Sequence, residues 1–470
     1  MSSIFGALID PVELIAPQQL GPVHFIAVGG AGMSGIAALY GELGIEVSGS
    51  DQADSPVLAD LVDRGIRVHV GHTAEQLGAA ASVVVSSAIR ADNPELVEAR
   101  RRGLRIWHRS AALAALMLDR PGVAVAGTHG KTTTSGMLAH ILTECGTDPG
   151  YVIGSPLAGR GASFRLGSGP FVVEADESDG SFRQYPADTA IITNIEADHL
   201  DNWKTPAAYL AGFRNFAARA KKVVANSDDP GVRQVLGDHD PRWLTFGERE
   251  PTRVLLTGAE QSGFRARARL GEQPLELLVP GTFNLANAAA AVLAAHSLGV
   301  DLADAARAVG RFRGTARRFT PIGSVAGVDV IDDYAHHPTE VLATLTAARA
   351  GVAERGGRVI ACFQPHLFSR TRDFTDEFGA ALATADEVVL MDIYPAREDP
   401  IPGVSSELLV TSCAAHGRDA QLVSDRAAVA GRLAELARPG DVVLTLGAGD
   451  VTQIAPQVVA ALTEGRPGRG

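Results

Sequence analysis

Short apolar runs alternate with glycine turns and helical stretches from the start of the chain. Val23 to Val28 (VHFIAV) predicts a strand, IAALYGELG predicts the helix that follows it, and EVSGSD predicts a second strand. Ser82 to Ser87 (SVVVSS) predicts another strand, and its apolar positions run together instead of alternating. Because a continuous apolar run indicates burial on both faces, we expect a parallel sheet covered by helices.

A second series of elements begins after the turn RPG at 120–122. Val123 to Ala126 predicts a strand, and a helix is predicted from about Ser135 to Cys145. The later strands FVVEAD and AIITNI end in charged or amide residues. Since ligands bind at the carboxyl ends of strands in open α/β sheets, we expect a site there.

The pattern resets around Gly314 to Pro321, and VDVIDDY, RVIACFQ, EVVLMDIY and DVVLTLGAG predict a third set of strands. A single hydrophobic core stops growing near ~250–300 residues, and this chain has 470. We therefore predict an α/β protein of three domains, with boundaries near residues 118 and 320. Residues 1–118 form a Rossmann-like domain, 119–319 a central P-loop ATPase-type α/β domain, and 320–470 a second Rossmann-like domain.

The charge balance and the cysteines limit the partners and the compartment. A formal net charge of -12 argues against nucleic acid and anionic membranes, which bind clustered Lys and Arg. The three cysteines show no CxxC spacing, which fits a reducing compartment. The amino-terminal residues do not resemble a signal peptide, and no apolar run reaches the ~18 residues that span a bilayer. We expect a cytoplasmic protein without membrane insertion, and no pattern specifies its oligomeric state.

A glycine-rich turn follows the first predicted strand and fits G-x-G-x-x-G with the residues Gly30, Ala31, Gly32, Met33, Ser34 and Gly35. Such glycines let the backbone approach a diphosphate, and Asp51, at the end of the next strand, can receive a ribose hydroxyl. A UDP-sugar satisfies this geometry, and so does the nicotinamide dinucleotide of an oxidoreductase. A turn that only packs a helix on a sheet is the third interpretation.

A second glycine-rich loop lies between the strand at Val123 and the next helix, and contains Gly127, Thr128, His129, Gly130, Lys131, Thr132 and Thr133. Its backbone N–H groups can surround phosphate oxygens, Lys131 can reach the β and γ phosphates, and the Thr132 hydroxyl can bind magnesium. The standard phosphate loop has an additional glycine where this chain has Val125. A nucleotide-driven switch or motor would use the same loop.

The loop GTHGKTTT resembles the compact ATP loop of the Mur ligases and of folylpolyglutamate synthetase. VVVSSAI, VEADESDGSF, TNIEADHLD, RRF, IDDYAHHPTE and FQPHLFSRT resemble further Mur ligase motifs, in that family's order. The resemblance implies an ATP- and Mg²⁺-dependent ligase that activates a carboxylate as an acyl phosphate. It also implies UDP-N-acetylmuramate, bound by the first domain, and L-alanine as substrates. Attachment of a whole tripeptide is the alternative, although Ser178 stands where the tripeptide enzymes have tyrosine.

The same resemblance implies a role for each candidate site residue. The catalytic candidates are Lys131, Glu174, His199, Arg318 and Arg370. The magnesium candidates are Thr132, Glu174 and His199. The ATP candidates are the loop from Gly127 to Thr133 together with Asn287, Arg318, Asp333 and Tyr334. The substrate candidates are the loop from Gly30 to Gly35 together with Asp51, Ser86, Ser87, His366 and Arg370.

Overall fold

The structure is a computed structural model that describes residues 6–30, 32–236, 240–396 and 398–464. The chain divides into two compact units. Unit 1 comprises Met1–Thr257, Leu270–Gln273 and Ala286–Val309, and unit 2 comprises Gly258–Arg269, Pro274–Leu285 and Gly310–Gly470. Three mainly parallel sheets confirm the predicted α/β class. Within the described ranges, no helix is long and apolar enough to cross a membrane.

The first sheet of unit 1 is parallel throughout and has five strands. Its elements are β1 Val23–Ile26, α1 Ser34–Glu42, β2 Val47–Asp51, α2 Pro56–Asp63, β3 Arg67–Val70, β4 Ser82–Val85, α3 Pro94–Arg101, β5 Arg105–His108 and α4 Arg109–Ala115. The strand order is β3-β2-β1-β4-β5, so β1 lies at the point where the order reverses. The predicted extension of β1 to Val28 is wrong, because Ala27 has a φ of 62° and turns the chain out of the strand.

The central sheet has the order β12-β11-β10-β6-β9-β7-β8 within unit 1. Its elements are β6 Gly122–Ala126, α5 Lys131–Glu144, β7 Gly150–Val152, β8 Phe164–Arg165, β9 Phe171–Glu174, β10 Thr189–Ile192, α6 Leu200–Trp203, α7 Pro206–Arg219, β11 Lys222–Asn226, α8 Pro230–Val235 and β12 Trp243–Gly247. The following elements are β13 Val254–Ser262, β14 Arg265–Leu270, β15 Gln273–Leu277, α9 Phe283–Ser297 and α10 Leu302–Val309. Strand β6 lies between β9 and β10, which places the second glycine loop at another reversal point, where open sheets bind ligands.

Helix α5 begins at Lys131, earlier than the predicted start near Ser135. Gly130 is in the left-handed region with a φ of 82°, and helical geometry starts at the next residue. The polar residues KTTT therefore form the first turn of the helix instead of a loop before it. The first N–H groups of an α-helix have no partner within the helix, so a phosphate can accept hydrogen bonds from them.

Unit 2 contains a six-stranded sheet in the order β16-β17-β21-β18-β19-β20. Its elements are β16 Thr320–Val325, β17 Val328–Asp333, α11 Pro338–Ala353, β18 Val359–Phe363, α12 Phe368–Asp373, α13 Thr375–Leu382, β19 Glu387–Leu390, α14 Glu407–Ala415, β20 Ala420–Leu422, α15 Arg426–Leu436, β21 Val442–Leu446 and α16 Ile454–Glu464. β16 is antiparallel to β17 and the other pairs are parallel. Apolar clusters cover both faces, as the continuous apolar strands predict.

The amino-terminal segment is bound to the loop that follows β9. The Ile9 N–H donates to the carbonyl of Asp179 at 2.7 Å, and Arg183 Nη2 donates to the Ile9 carbonyl at 2.8 Å. Val12 exchanges two hydrogen bonds with the amide side chain of Gln184, at 2.7 and 3.0 Å. The segment is thus held by its backbone groups, which any sequence could supply.

Candidate functional site

The second glycine loop, here called the phosphate loop (Gly127–Thr133), is braced by the end of β10. Gly127 has a φ of 139°, and a Cβ at this position would overlap the Thr193 hydroxyl. Thr193 Oγ1 donates to the His129 carbonyl at 2.6 Å, and the Asn194 amide both donates to that carbonyl and accepts from the His129 N–H at 2.9 Å. The loop conformation is therefore fixed by side chains from a neighbouring strand end.

Lys131 is folded back onto the phosphate loop. Its Nζ donates to the carbonyls of Gly127 and Thr128 at 2.7 and 3.1 Å, and forms an ion pair with Glu177 at 2.8 Å. Burial raises the pKa of Glu177 to about 7, although the ammonium group opposes this shift. Burial alone would lower the pKa of Lys131, but Glu177 and the nearby Asp176 raise it. The lysine thus stays charged inside the loop.

Thr132 and Glu174 come together beside the phosphate loop. The Thr132 hydroxyl donates to Glu174 Oε1 at 3.1 Å, and the Gly154 N–H donates to Glu174 Oε2 at 2.8 Å. A hydroxyl and a carboxylate at a phosphate site are the oxygen donors that Mg²⁺ prefers, so these residues fit that ion. His199 precedes α6 with a φ of 53°, and its Nε2 lies 3.5 Å from Asp198 Oδ2.

Asn287, on α9, lies against the same loop. Its Oδ1 accepts a hydrogen bond from the Thr134 hydroxyl at 3.2 Å. A Cβ on Gly130 would come within 2.6 Å of that oxygen, so a side chain at Gly130 would displace the Asn287 amide and would also be strained by the φ of 82°. The fold therefore places Asn287, a residue from much later in the chain, against the loop that is predicted to bind ATP.

The first glycine loop, here called the diphosphate loop (Gly29–Gly35), follows β1. Asp51 Oδ2 accepts the Gly29 N–H at 2.8 Å, so this carboxylate braces the start of the loop. The Gly30 carbonyl accepts the N–H groups of Met33 and Ser34 at 2.8 and 3.0 Å, which forms the turn into α1. Ala31 lies outside the described residues. The predicted ribose contact of Asp51 stays a prediction.

Arg109, the first residue of α4, lies beside the diphosphate loop and was missed by the sequence interpretation. A Cβ on Gly32 would lie 3.0 Å from Arg109 Nη1. Arg109 Nη2 donates to Asp176 Oδ2 at 3.1 Å. Burial lowers the pKa of Arg109, and the carboxylates of Asp176 and Asp179 outweigh it and raise the pKa. No spacing or motif could have indicated this contact, because Arg109 belongs to a different βα turn.

Ser86 and Ser87 follow β4, and Ser87 joins a buried polar network. Its hydroxyl donates to Asp179 Oδ2 at 2.9 Å and lies 3.0 Å from His108 Nε2. His108 Nδ1 accepts the Ser110 N–H at 3.3 Å, which places the ring proton on Nε2 in the neutral form. Burial, followed by Arg109, lowers the pKa of His108 to about 4. The imidazole is therefore neutral at physiological pH.

In unit 2, three of the predicted ATP residues lie near the end of β17. The guanidinium groups of Arg317 and Arg318 lie over the Tyr334 ring, at 4.7 and 5.2 Å from its centre. Asp333 accepts the N–H groups of Phe319 and Ala335, both at 2.7 Å. Burial raises the pKa of Asp333 to about 6, although Arg318 opposes the shift.

The two predicted substrate residues of unit 2 lie close together along the chain after β18. The His366 ring stacks on Tyr394 with centres 5.8 Å apart. Arg370 is buried in the short helix α12. The neighbouring Ser369 is held by Glu398, which accepts the Ser369 N–H at 2.9 Å. His366 is thus positioned by a stacked ring and Arg370 by a helix.

Three Mur ligase family models match the chain. The Mur ligase family catalytic domain matches residues 22–121, the Mur ligase middle domain matches residues 125–295, and the Mur ligase glutamate ligase domain matches residues 317–449. Together these matches extend over all three sheets.

Relatives with curated names are similar over their full length. The UDP-N-acetylmuramate–L-alanine ligase of Cutibacterium acnes is 57% identical, over 98% of this chain and 100% of that protein. The enzyme of the same name from Kineococcus radiotolerans is 50% identical, over 99% of this chain and 100% of that protein.

Solved structures agree in fold. The UDP-N-acetylmuramate-alanine ligase of Thermotoga maritima is 29% identical with a TM-score of 0.79, covering 95% of this chain and 100% of that chain. A murein peptide ligase from Psychrobacter arcticus is 26% identical with a TM-score of 0.67, covering 94% and 98%. Since identities of 50–57% extend over nearly the whole length, the chain belongs to the Mur ligase family.

Proposed function

We propose that this chain uses ATP to join L-alanine to the carboxylate of UDP-N-acetylmuramate, giving UDP-N-acetylmuramoyl-L-alanine, ADP and phosphate for peptidoglycan synthesis. The observation that carries the proposal is the 57% identity, over 98% of the chain, to the Cutibacterium acnes enzyme named for this reaction. We place the reaction in the cytoplasm, because the three cysteines lie far apart in the sequence and show no CxxC spacing, which suits a reducing compartment.

The chemistry requires that a poor electrophile be activated. A carboxylate does not react with an amine in neutral water, and transfer of a phosphoryl group to it creates an acyl phosphate with a good leaving group. We assign Lys131 to the transferred phosphate, because its ammonium already lies within the phosphate loop. On ATP binding it exchanges two loop carbonyls and Glu177 for phosphate oxygens. This offsets the charge that develops in transfer.

We assign Thr132, Glu174 and His199 to magnesium, with the first two supported by their 3.1 Å contact. When bound, Mg²⁺ offsets the negative charge of the phosphates. The carboxylate of Glu174 is oriented by the Gly154 N–H, so it cannot rotate freely away from Thr132. Thr193 and Asn194 keep the loop in shape before any ligand arrives, which reduces the ordering that binding requires.

We assign Asn287, Arg318, Asp333 and Tyr334 to ATP, and His366 and Arg370 to the substrate carboxylates. The support for Arg318 is its position over the Tyr334 ring, which orients the guanidinium group. The support for Arg370 is its buried position in a helix, because a buried guanidinium favours an anionic partner.

The tripeptide ligase is the second candidate function, and the observations favour L-alanine. The Thermotoga maritima structure matches with a TM-score of 0.79 and the murein peptide ligase with 0.67. An oxidoreductase or a nucleotide switch would leave the similarity to ligases over the whole chain unexplained.

The test is ADP release measured with UDP-N-acetylmuramate and a panel of amino acids, with the tripeptide included. We expect release to require both the UDP-sugar and L-alanine, and to be slow without the amino acid because the acyl phosphate is protected from water. Glycine and L-serine differ from L-alanine by one small group and are expected to be discriminated by only ~1–3 kcal/mol. Rapid release with the tripeptide would replace the proposal by its alternative. Fast hydrolysis without any amino acid would revive the nucleotide switch.

A further inference from the structure

The diphosphate loop carries no cation of its own. Its sequence, GGAGMSG, contains no Lys or Arg, and the chain as a whole has a net charge of -12. Asp51 adds a carboxylate at the start of the loop, where its Oδ2 lies 2.8 Å from the Gly29 nitrogen. Backbone N–H groups favour a diphosphate at this position, but the nearby carboxylate opposes it. A cation from elsewhere in the fold would therefore strengthen the binding of a UDP-sugar here.

Arg109 occupies the position where such a cation is needed. In a G-x-G-x-x-G loop the second glycine lets the pyrophosphate approach the backbone, and in this chain the second glycine is Gly32. A Cβ on Gly32 would lie 3.0 Å from Arg109 Nη1 and 3.5 Å from Cζ. The guanidinium therefore lies against the open side of that glycine.

The orientation of this guanidinium is set from its other side. Arg109 Nη2 donates to Asp176 Oδ2 at 3.1 Å. Asp176 is itself fixed, because its Oδ1 accepts the Ser178 N–H at 3.0 Å and the Ser178 hydroxyl at 2.6 Å. One nitrogen of the guanidinium is thus held by a carboxylate while the other faces the diphosphate loop.

We propose that Arg109 binds the diphosphate of the nucleotide-sugar substrate, and that Asp176 is a positioning residue that holds the Arg109 guanidinium at Gly32. This inference rests on the proposed function, which supplies the UDP-sugar. A guanidinium suits the role because its planar donors match two phosphate oxygens at once. The carboxylate also places the cation before the substrate arrives, so little side-chain order has to be gained on binding.

The experiment compares UDP with uridine, which lacks the phosphates, by titration calorimetry. In Arg109→Ala we expect the affinity for UDP to fall roughly 10- to 100-fold, the size of one lost charge-assisted contact. The affinity for uridine should change by less than about twofold. Arg105→Ala is the matched control, because Arg105 is an exposed arginine on the adjacent strand β5, and it should leave both affinities unchanged.

Arg109→Lys separates folding from binding, since it retains the charge but loses the planar fork. We expect it to fall between the wild type and Arg109→Ala in its preference for UDP over uridine. Equal weakening of UDP and uridine in both variants would overturn the inference, because a purely structural arginine affects both ligands alike. Wild-type protein that binds neither UDP nor UDP-N-acetylmuramate would overturn the proposed function as well, so the two failures are distinguishable.

Discussion

The two glycine loops of unit 1 have the same position in their sheets but obtain their positive charge differently. Each follows a strand at a reversal point of a parallel sheet and leads into a helix. The phosphate loop contains its own cation, Lys131, which its carbonyls already hold. The diphosphate loop contains none, and the guanidinium beside it comes from α4. The comparison teaches that loop geometry indicates where phosphates can bind, whereas the origin of the charge is a property of the whole fold.

The loops also differ in how they are braced. Neutral groups, Thr193 and Asn194, hold the phosphate loop. A carboxylate, Asp51, holds the start of the diphosphate loop. The brace of the phosphate loop adds no charge, although Glu177 pairs with Lys131, whereas the brace of the diphosphate loop adds a carboxylate that the nearby Arg109 offsets. We expect this separation to be measurable in four ways, from the largest effect to the smallest.

Lys131→Ala should have the largest effect and should affect one loop alone. We expect turnover to fall on the order of 10³-fold, because a charge that stabilises phosphoryl transfer is lost. UDP affinity should stay nearly intact, since Arg109 serves the other loop. Steady-state kinetics measures the turnover and calorimetry measures the UDP affinity. Lys221→Ala is the control, because Lys221 is an exposed lysine. A comparable loss of UDP affinity would contradict the separation of the loops.

Glu174→Gln should lower the rate roughly 10- to 100-fold and raise the magnesium concentration needed for half-maximal activity, because one charged oxygen ligand becomes neutral. A magnesium titration of the initial rate measures both effects. Glu144→Gln is the control, since Glu144 is the last residue of α5 and pairs with Arg160. An unchanged magnesium profile would remove Glu174 from the ligand set.

Gly32→Ala should weaken UDP binding about fivefold or more, because the new Cβ displaces the Arg109 guanidinium. ATP affinity should not change. This variant should therefore affect the diphosphate loop alone, as Lys131→Ala should affect the phosphate loop alone. Gly41→Ala is the control, since a Cβ there would lie 3.7 Å from Ile66, an ordinary contact. Calorimetry with UDP and with ATP measures both affinities. Unaltered UDP binding would show that the space beside Gly32 is not used.

The smallest of the four effects is expected in the pH dependence of the protein's stability, through His108, the residue before Arg109. Burial lowers the pKa of His108 to about 4. At pH values below the ordinary pKa of histidine, the unfolded chain therefore takes up a proton that the folded protein does not accept. Stability is therefore lost as the pH falls from ~6.5 towards 4, by about 1 kcal/mol at pH ~5.5. His108→Asn should reduce this loss, measured as the melting temperature at the two ends of that range. The control His416→Asn changes an exposed histidine and should lose stability as the wild type does. An equal change of melting temperature with pH in the wild type and both variants would contradict the role of His108.

The sequence was sufficient to predict the α/β class because the evidence for it is local. Runs such as VVV in β4 and VIACF in β18 are buried on both faces, and a parallel sheet requires that pattern. The predicted start of α5 is too late because Lys131 to Thr134, which form the first turn of the helix, were assigned to the loop. The two domain boundaries and the individual roles of the site residues stay predictions.

The candidate site could be predicted where the chemistry lies within one motif. Lys131 and Thr132 were recognisable because a phosphate loop needs both residues next to its glycines. Arg109 was not, because its contact with Gly32 depends on the packing of α4 against another βα turn. The brace formed by Asn194 was equally hidden, since an amide at a strand end is compatible with many functions.

The amino-terminal segment should be kept intact when the protein is truncated or tagged. Its hydrogen bonds at Ile9 and Val12 end on Asp179, Arg183 and Gln184, which closely follow Asp176, the partner of Arg109, along the chain. Trimming the chain to the first strand at Val23 would leave the buried Gln184 amide without the backbone groups that now satisfy it. Between residues 6 and 22, the part of this segment that the structure describes, one short 3-10 turn is the only regular element. An expression tag is therefore better added before this irregular segment than exchanged for it.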